Sequence, residues 1–246
     1  MDHAVLINHV AVWRSSITLL LLLILLGACA SPTPDAMDPE EIVLRSIDRM
    51  KALSGFHFVI ERSGALAFLN EEQTFAFRRA EGDFVAPDRA RATIRVIGPG
   101  LVVEVQVINI GEIQWETNFL TGEWQELPPD WGFNPAALFD AEVGIQPILE
   151  KDLSGLEWVG LEELEEVPGK PLYALMGEIA GERLFQLSFG MMGPEKMTIL
   201  LWIAPETFEL YRMKLTEAPK GEDESTIWIV DFWDYDQVVD INPPGR

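Results

Sequence analysis

The chain has 246 residues, 48% of them hydrophobic, and carries 40 acidic against 18 basic side chains, a formal charge of -22. So acidic a surface repels phosphates and offers no basic patch to condense them, which excludes nucleic-acid binding. One cysteine and three histidines form no zinc-type cluster, and no Gly-rich phosphate loop is present.

The N-terminus reads as a cleaved export signal: Arg14 supplies positive charge, residues 17–26 are almost purely Leu and Ile, and Leu26-Gly27-Ala28-Cys29 closes the segment. A membrane-spanning helix needs about 20 apolar residues, and Ser31-Pro32-Thr33-Pro34 interrupts this one first. The Leu-Gly-Ala-Cys ending resembles a bacterial lipobox. In that motif the cysteine becomes a diacylglyceryl thioether, the signal is cut before it, and the new amino terminus is acylated. The alternative is a chance thiol behind an ordinary signal. Two acyl chains anchor stably where one is marginal, so Cys29 predicts a tethered protein on the extracytoplasmic side of the membrane or in the cell envelope. The residues before Arg14 are long for a signal, so either translation starts after Met1 or the extension is harmless. Losing Asp2 and Arg14 with residues 1–28 leaves the charge at -22. Residues 29–39 form the lipidated tether, rich in proline and small or acidic side chains, and residues 40–246 are expected to form one domain without internal repeats.

Asp38-Pro39-Glu40-Glu41, followed by Ile42, Val43, Leu44, Ile47, Met50 and Leu53, predicts one amphipathic helix that ends by Gly55. The period then falls to two: Phe56, Phe58 and Ile60 share a face, and Phe75 with Phe77 repeats the pattern. Ala90, Ala92, Ile94 and Val96 alternate with Arg89, Arg91, Thr93 and Arg95, Gly98-Pro99-Gly100 turns the chain, and Leu101, Val103, Val105 and Val107 return. This is a hairpin with one apolar and one charged face. Trp115 and Trp124 continue the meander. Residues 134–153 suggest one or two short helices, broken near Gly144 and Pro147. Strands resume over 156–167, 172–177, 198–203, 210–215 and 227–233. The sum is an α+β, mainly β chain of roughly ten antiparallel strands with a few helices.

A sheet of that size with one apolar face must close on itself or have the face covered. With few helices to cover it, an apolar concavity remains, the usual form of a lipid site. Ala92, Ile94, Val103, Val105 and Val107 are the candidate lining residues, with Phe58, Phe75 and Phe77 behind them. The competing reading is that all of them simply pack the core.

Several segments in order resemble the LppX/LprAFG family of bacterial lipoproteins: Ser54-Gly55-Phe56-His57-Phe58, the turn from Glu81 through Pro87 to Arg89, the hairpin over 101–107, and Leu120-Thr121-Gly122-Glu123-Trp124 with Leu127-Pro128. Trp202-Ile203 and Asp231-Phe232 match its final strands. The resemblance implies a strongly curved half-barrel with helices over its concave face, similar in shape to LolA/LolB-type lipoprotein carriers. It further implies an acylated lipid or glycolipid ligand carried across the envelope. The chain itself is expected to be a monomer that needs no cofactor and is not an enzyme, with an envelope transporter as an allowed partner. The chain departs from the family over 181–196, where Phe185, Phe189, Met191 and Met192 replace a more regular helical segment. These flexible side chains form either an adaptable lid over acyl chains or core filler.

Enzymatic chemistry lacks parts. Alkylation would remove the thiol, and His57, the only imidazole beyond the signal, sits in an alternating strand as a surface or satisfied residue. Asp234 with Asp236, and Glu222-Asp223-Glu224, do not fit a calcium-loop pattern, and Glu162, Glu163, Glu165 and Glu166 read as a solvated hairpin end. Two rival functions remain: an envelope chaperone or interaction partner that uses the same groove for proteins or lipoprotein anchors, and a carboxylate hydrolase.

Overall fold

A computed structural model describes residues 37–69, 73–128, 134–219, 224–237 and 239–245. Cys29 and the signal before it lie outside these residues, as do Glu222 and Asp223.

Helix α1 (Pro39–Ala52) starts with proline, Glu40 and Glu41 and ends with Arg49 and Lys51, so its charges complement the helix dipole at both ends. Ile42, Val43, Ile47 and Met50 recur at helical spacing and are buried. Where the helix gives way to the sheet, Arg49 bonds Glu209 at 2.9 Å and Asp236 at 2.7 Å. Asp236 also accepts the Ser54 backbone N–H at 3.0 Å, which fastens the helix exit to the end of the chain's last strand.

The strands are β1 (Gly55–Ser63), β2 (Ala76–Val85), β3 (Arg89–Gly98), β4 (Leu101–Ile110), β5 (Ile113–Thr117), β6 (Trp124–Leu127), β7 (Leu153–Glu162), β8 (Leu172–Ile179), β9 (Met197–Ile203), β10 (Leu210–Thr216) and β11 (Ile227–Trp233). A 3-10 turn (Ala137–Phe139) and helix α2 (Ile145–Asp152) precede β7, and the short helix α3 (Glu182–Leu187) precedes β9. Two meanders, β1 to β6 and β7 to β11, join through the antiparallel β1–β11 pair. The order is β6-β5-β4-β3-β2-β1-β11-β10-β9-β8-β7, so β6 and β7 are free edges of an unclosed, curved sheet. Gly82 permits tight packing of β2 on β3: a Cβ there would sit 2.0 Å from the Arg91 carbonyl oxygen and 2.7 Å from the Ala92 Cα.

The predicted helix, the 101–107 hairpin and the short helices after residue 134 are present. The sheet has eleven strands, one more than the rough count of ten. The strand expected over 156–167 instead begins at Leu153 and stops at Glu162. Beyond it the chain turns, with the Val167 N–H on the Leu164 carbonyl and the Glu163 carboxylate accepting the Gly169 N–H, both at 3.0 Å. A turn that makes its own backbone bonds ahead of Pro168 ends the ladder early.

The inner face is filled at its centre by one ring. Phe139 packs against Phe56 and Phe58 with centroids 4.9 Å away, Phe84 at 5.4 Å and Phe232 at 6.0 Å, largely edge-on or tilted. It thereby ties the segment before α2 to strands from both meanders. Phe139→Ala is expected to destabilise the fold by about 3–5 kcal/mol, lowering the urea midpoint without changing the denaturant slope.

Candidate functional site

Antiparallel order brings the β1–β2 loop, the β3–β4 turn, the β5–β6 loop and the β8–β9 connection to one end of the sheet. At this end the helices leave the inner face uncovered, and a cavity of about 420 Å³ opens.

The floor follows from the ladder. Val96 faces Val103, Ile94 faces Val105 and Ala92 faces Val107, with the intervening arginines, Glu104 and Gln106 turned outward. Val96, Ile94 and the three valines line the cavity. Phe75 and Phe77 form the flank toward β1. Phe75 lies over Gly98, where a Cβ would meet its ring at 2.9 Å, and it contacts Phe119 with centroids 5.6 Å apart. Phe77 stacks on Trp228 at 5.6 Å. Phe68 and Leu69 from the β1–β2 loop complete that side.

Phe189 and Met191 line the cavity from the connection after α3. Positive φ at Phe189 (53°) and Gly190 (81°) reverses the chain there, and the Ser188 hydroxyl accepts the Met192 N–H at 3.0 Å. Glu217 fastens the segment from below by accepting the Gly193 N–H at 2.9 Å and the Trp228 indole N–H at 2.8 Å. Arg62, itself buried, stands over the Trp228 ring at 5.6 Å. Burial pulls its guanidinium below the usual value, an effect the nearby Glu217 charge partly offsets. Met192 turns instead into a smaller apolar hollow of about 50 Å³, shared with Leu184, Leu187, Phe139 and Phe232. Two consecutive methionines thus face two separate apolar spaces.

Among the described residues Glu116 is the only charged side chain in the lining. The Gln125 amide donates to its Oε1 at 3.0 Å, and a carboxylate has further lone pairs to offer.

Of the candidates read from the sequence, Phe75, Phe77, Ile94, Val103, Val105 and Val107 meet in this cavity. Phe58 does not: it is fully buried under Phe139. Ala92 is also buried outside the lining, opposite Gly82 in the ladder. Phe68, Leu69, Glu116 and Phe119 join the site without having been anticipated. All lie in loops or in the short β5, where no long alternation marks an inward face. Val96 carried that signal, since it continues the alternation of Ile94.

His57 lies on the outer face, its ring on Trp233 at 4.6 Å, Nδ1 2.8 Å from Asp83 Oδ1 and Nε2 3.5 Å from Glu81 Oε1. It is a satisfied strand histidine away from the cavity. Burial pushes the Asp83 carboxyl up, but hydrogen bonds and charge from His57 and Arg91 outweigh it and hold the group below its ordinary value.

An unclosed antiparallel half-barrel, with helices over part of its inner face and an apolar cavity under the rest, defines the class: curved half-barrels of the lipoprotein type. The sequence matches the LppX_LprAFG lipoprotein family over residues 38–241, and the chain belongs to that family. Its fold is similar to that of LprF from Mycobacterium bovis, with a TM-score of 0.65 at 16% identity, covering 85% of this chain and 97% of that one. It is also similar to LppX from Mycobacterium tuberculosis, with a TM-score of 0.57 at 16% identity, covering 83% and 98%. No curated protein matches the sequence. Among the described residues no helix is long and apolar enough to cross a membrane.

The Asp83 arrangement has a pH signature. A carboxyl whose folded pKa is depressed contributes stability that is complete above its unfolded value, near 3.8, and is lost as pH falls through the folded value. Asp83→Asn is expected to destabilise by about 1 kcal/mol at pH 5. Urea unfolding between pH 5 and 2 should show that difference shrinking toward zero.

Proposed function

We propose that this protein is an exported, membrane-tethered carrier that shields the acyl chains of a lipid or glycolipid in the cavity without altering them covalently. The observation that carries the reading is the cavity itself: about 420 Å³, inside the range of about 300–1,000 Å³ usual for ligand sites, and lined among the described residues by apolar side chains and one carboxylate. Each buried methylene contributes about 0.8 kcal/mol, so a single chain taken up along the valine ladder supplies substantial affinity without polar contacts. Glu116 then favours a headgroup with hydroxyl donors, such as a sugar or glycerol, over an anionic one. Phe189 and Met191 adapt the cover to the chain, since methionine repacks at low cost.

Cys29, converted to a diacylglyceryl thioether with an acylated amino terminus, holds the body at the membrane on the extracytoplasmic side. The charge of -22 opposes self-association, in keeping with a monomer that hands its lipid to a second membrane or to an envelope transporter.

The test is mass spectrometry of the protein purified from a bacterial host, under native and then denaturing conditions. Stoichiometric lipid released only on denaturation is expected. Val105→Arg, which places a charge in the cavity floor, should reduce the bound lipid to a trace while leaving the far-ultraviolet circular dichroism spectrum unchanged. A lipid-free wild-type protein, or a variant that keeps its lipid, would sink the carrier reading.

A further inference from the structure

The turns around the cavity mouth share an unusual composition. Leu66 in the β1–β2 loop, Val102 beside the β3–β4 turn and Leu120 in the β5–β6 loop are 58%, 61% and 80% exposed. Ile97 and Leu101 flank the β3–β4 turn and are exposed at the same end. Scattered exposed leucines need no explanation, but a contiguous apolar rim marks an interaction surface. The rim is also continuous with the cavity: Leu69, Phe119 and Phe189 both line it and are 41%, 46% and 62% exposed.

We propose that this rim docks on a lipid bilayer, the apolar tips of the β3–β4 turn and the β5–β6 loop entering the outer part of the hydrocarbon so that the cavity opens directly into it. The proposal rests on the carrier reading and names the surface with which that carrier exchanges.

The backbone favours a bilayer over a protein partner. Inside hydrocarbon every N–H needs a partner from its own chain, whereas a protein interface supplies partners across the contact. In the β5–β6 loop Asn118 Oδ1 accepts the Leu120 and Thr121 N–H groups at 2.9 and 3.2 Å. The Asn118 carbonyl accepts the Gly122 N–H at 2.8 Å, and the Thr121 hydroxyl accepts the Glu123 N–H at 3.2 Å. The loop that carries the most exposed leucine therefore brings its own acceptors. The β3–β4 turn carries no charge between Arg95 and Glu104, and these two pair at 2.6 Å, so entry of the hairpin tip drags in no unpaired ion. A second copy of the chain is disfavoured by the charge of -22 on each. The same charge sets the lipid preference: a zwitterionic bilayer over an anionic one at low salt.

The test uses the full chain in phosphatidylcholine vesicles, with an environment-sensitive fluorophore attached at Leu120→Cys or, at the opposite end of the sheet, at Leu161→Cys. Unsubstituted protein treated with the same reagent gives the background from Cys29. A blue-shifted label at 120 that acyl-chain spin-labelled lipid quenches, beside an unquenched, water-exposed label at 161, is expected. Replacing part of the phosphatidylcholine with phosphatidylglycerol should reduce the quenching at 120 at low salt. Absence of quenching at 120, or equal quenching at both sites, overturns the proposal. A shift at 120 that depends on protein density rather than on spin label assigns the rim to a second copy and overturns it too. Lipid content of the same samples, read by denaturing mass spectrometry, separates the two ideas. An empty protein with a quenched label sinks the carrier reading alone, and a loaded protein with an unquenched label sinks the docking alone.

Discussion

Every other feature of this molecule depends on how one apolar sheet face is kept from water. A long antiparallel sheet that alternates apolar and charged residues gains most of its stability by burying the apolar side, at about 25 cal/mol per Å², and it can do so by closing into a barrel or by being covered. Here β6 and β7 do not meet, so the face must be covered. The cover is economical. Phe139 reaches the centre of the sheet from a three-residue turn and touches rings on β1, β2 and β11, while α1, α2 and α3 contribute Ile47, Ile148 and Leu184 to the buried core. None of these elements lines the cavity over β3, β4 and β5 at one end, and the cavity is what the cover leaves over. The site is thus a consequence of partial coverage, with no dedicated binding element required to make it.

Leaving the sheet open carries a liability, because an edge strand presents unpaired backbone groups to any other chain. The two edges are managed differently. β6 is only four residues long, too short to template another strand effectively. β7 has ten residues and exposed Val159 and Leu161, but its pairing to β8 shifts register twice, near Gly155 and Gly160, both with positive φ. Such irregularities bend the strand and spoil its edge as a straight template. The acidic residues from Glu162 onward add charge where the strand ends.

The parts legible in the sequence are those in which a period runs uninterrupted. α1 has its proline, acids and helical spacing, and β3 and β4 alternate over ten residues each, so both their faces and their turn follow directly. The cavity floor was legible for the same reason, since Ile94, Val103, Val105 and Val107 inherit their direction from that alternation. Periodicity says which face a residue takes and nothing about what arrives to cover it. That is why Phe58 and Ala92, correctly placed on the apolar face, are not in the cavity: Phe139 covers the first, and the close approach of β2 at Gly82 seals off the second. The rim had no signature at all. Phe68, Leu69 and Phe119 sit in loops whose course depends on local hydrogen bonds such as those of Asn118, and Glu116 occupies a strand of five residues, too short for a pattern to separate its faces. The segment after α3 was intermediate. Its Met and Phe content fits a cover and core filler equally well, while its attachment through Glu217 depends on residues far away in sequence.

The outer face decides the inner one. A slip of one residue between neighbouring strands turns each side chain to the opposite face, so the lining is only as well defined as the register. Isolated exposed ion pairs contribute little to stability, at most about 1 kcal/mol each, yet those on the outer face lie directly across the ladder. Arg95 faces Glu104, Arg91 faces Asp83 at 2.7 Å, Glu61 faces Arg79, and on the second meander Arg212 faces Asp231 at 2.9 Å. Hydrogen bonds donated to Asp231 raise the Arg212 guanidinium further above its usual value despite burial. A one-residue slip at any of these sites would part the charges and turn the arginines of that strand toward the apolar side, where desolvation of an unpaired ion costs several kcal/mol. The penalty against the wrong register is therefore much larger than the gain from the right one. The pairs act as alignment marks, holding Val103, Val105 and Val107 opposite Val96, Ile94 and Ala92, and through that pairing charges that never approach the cavity fix which side chains form its floor.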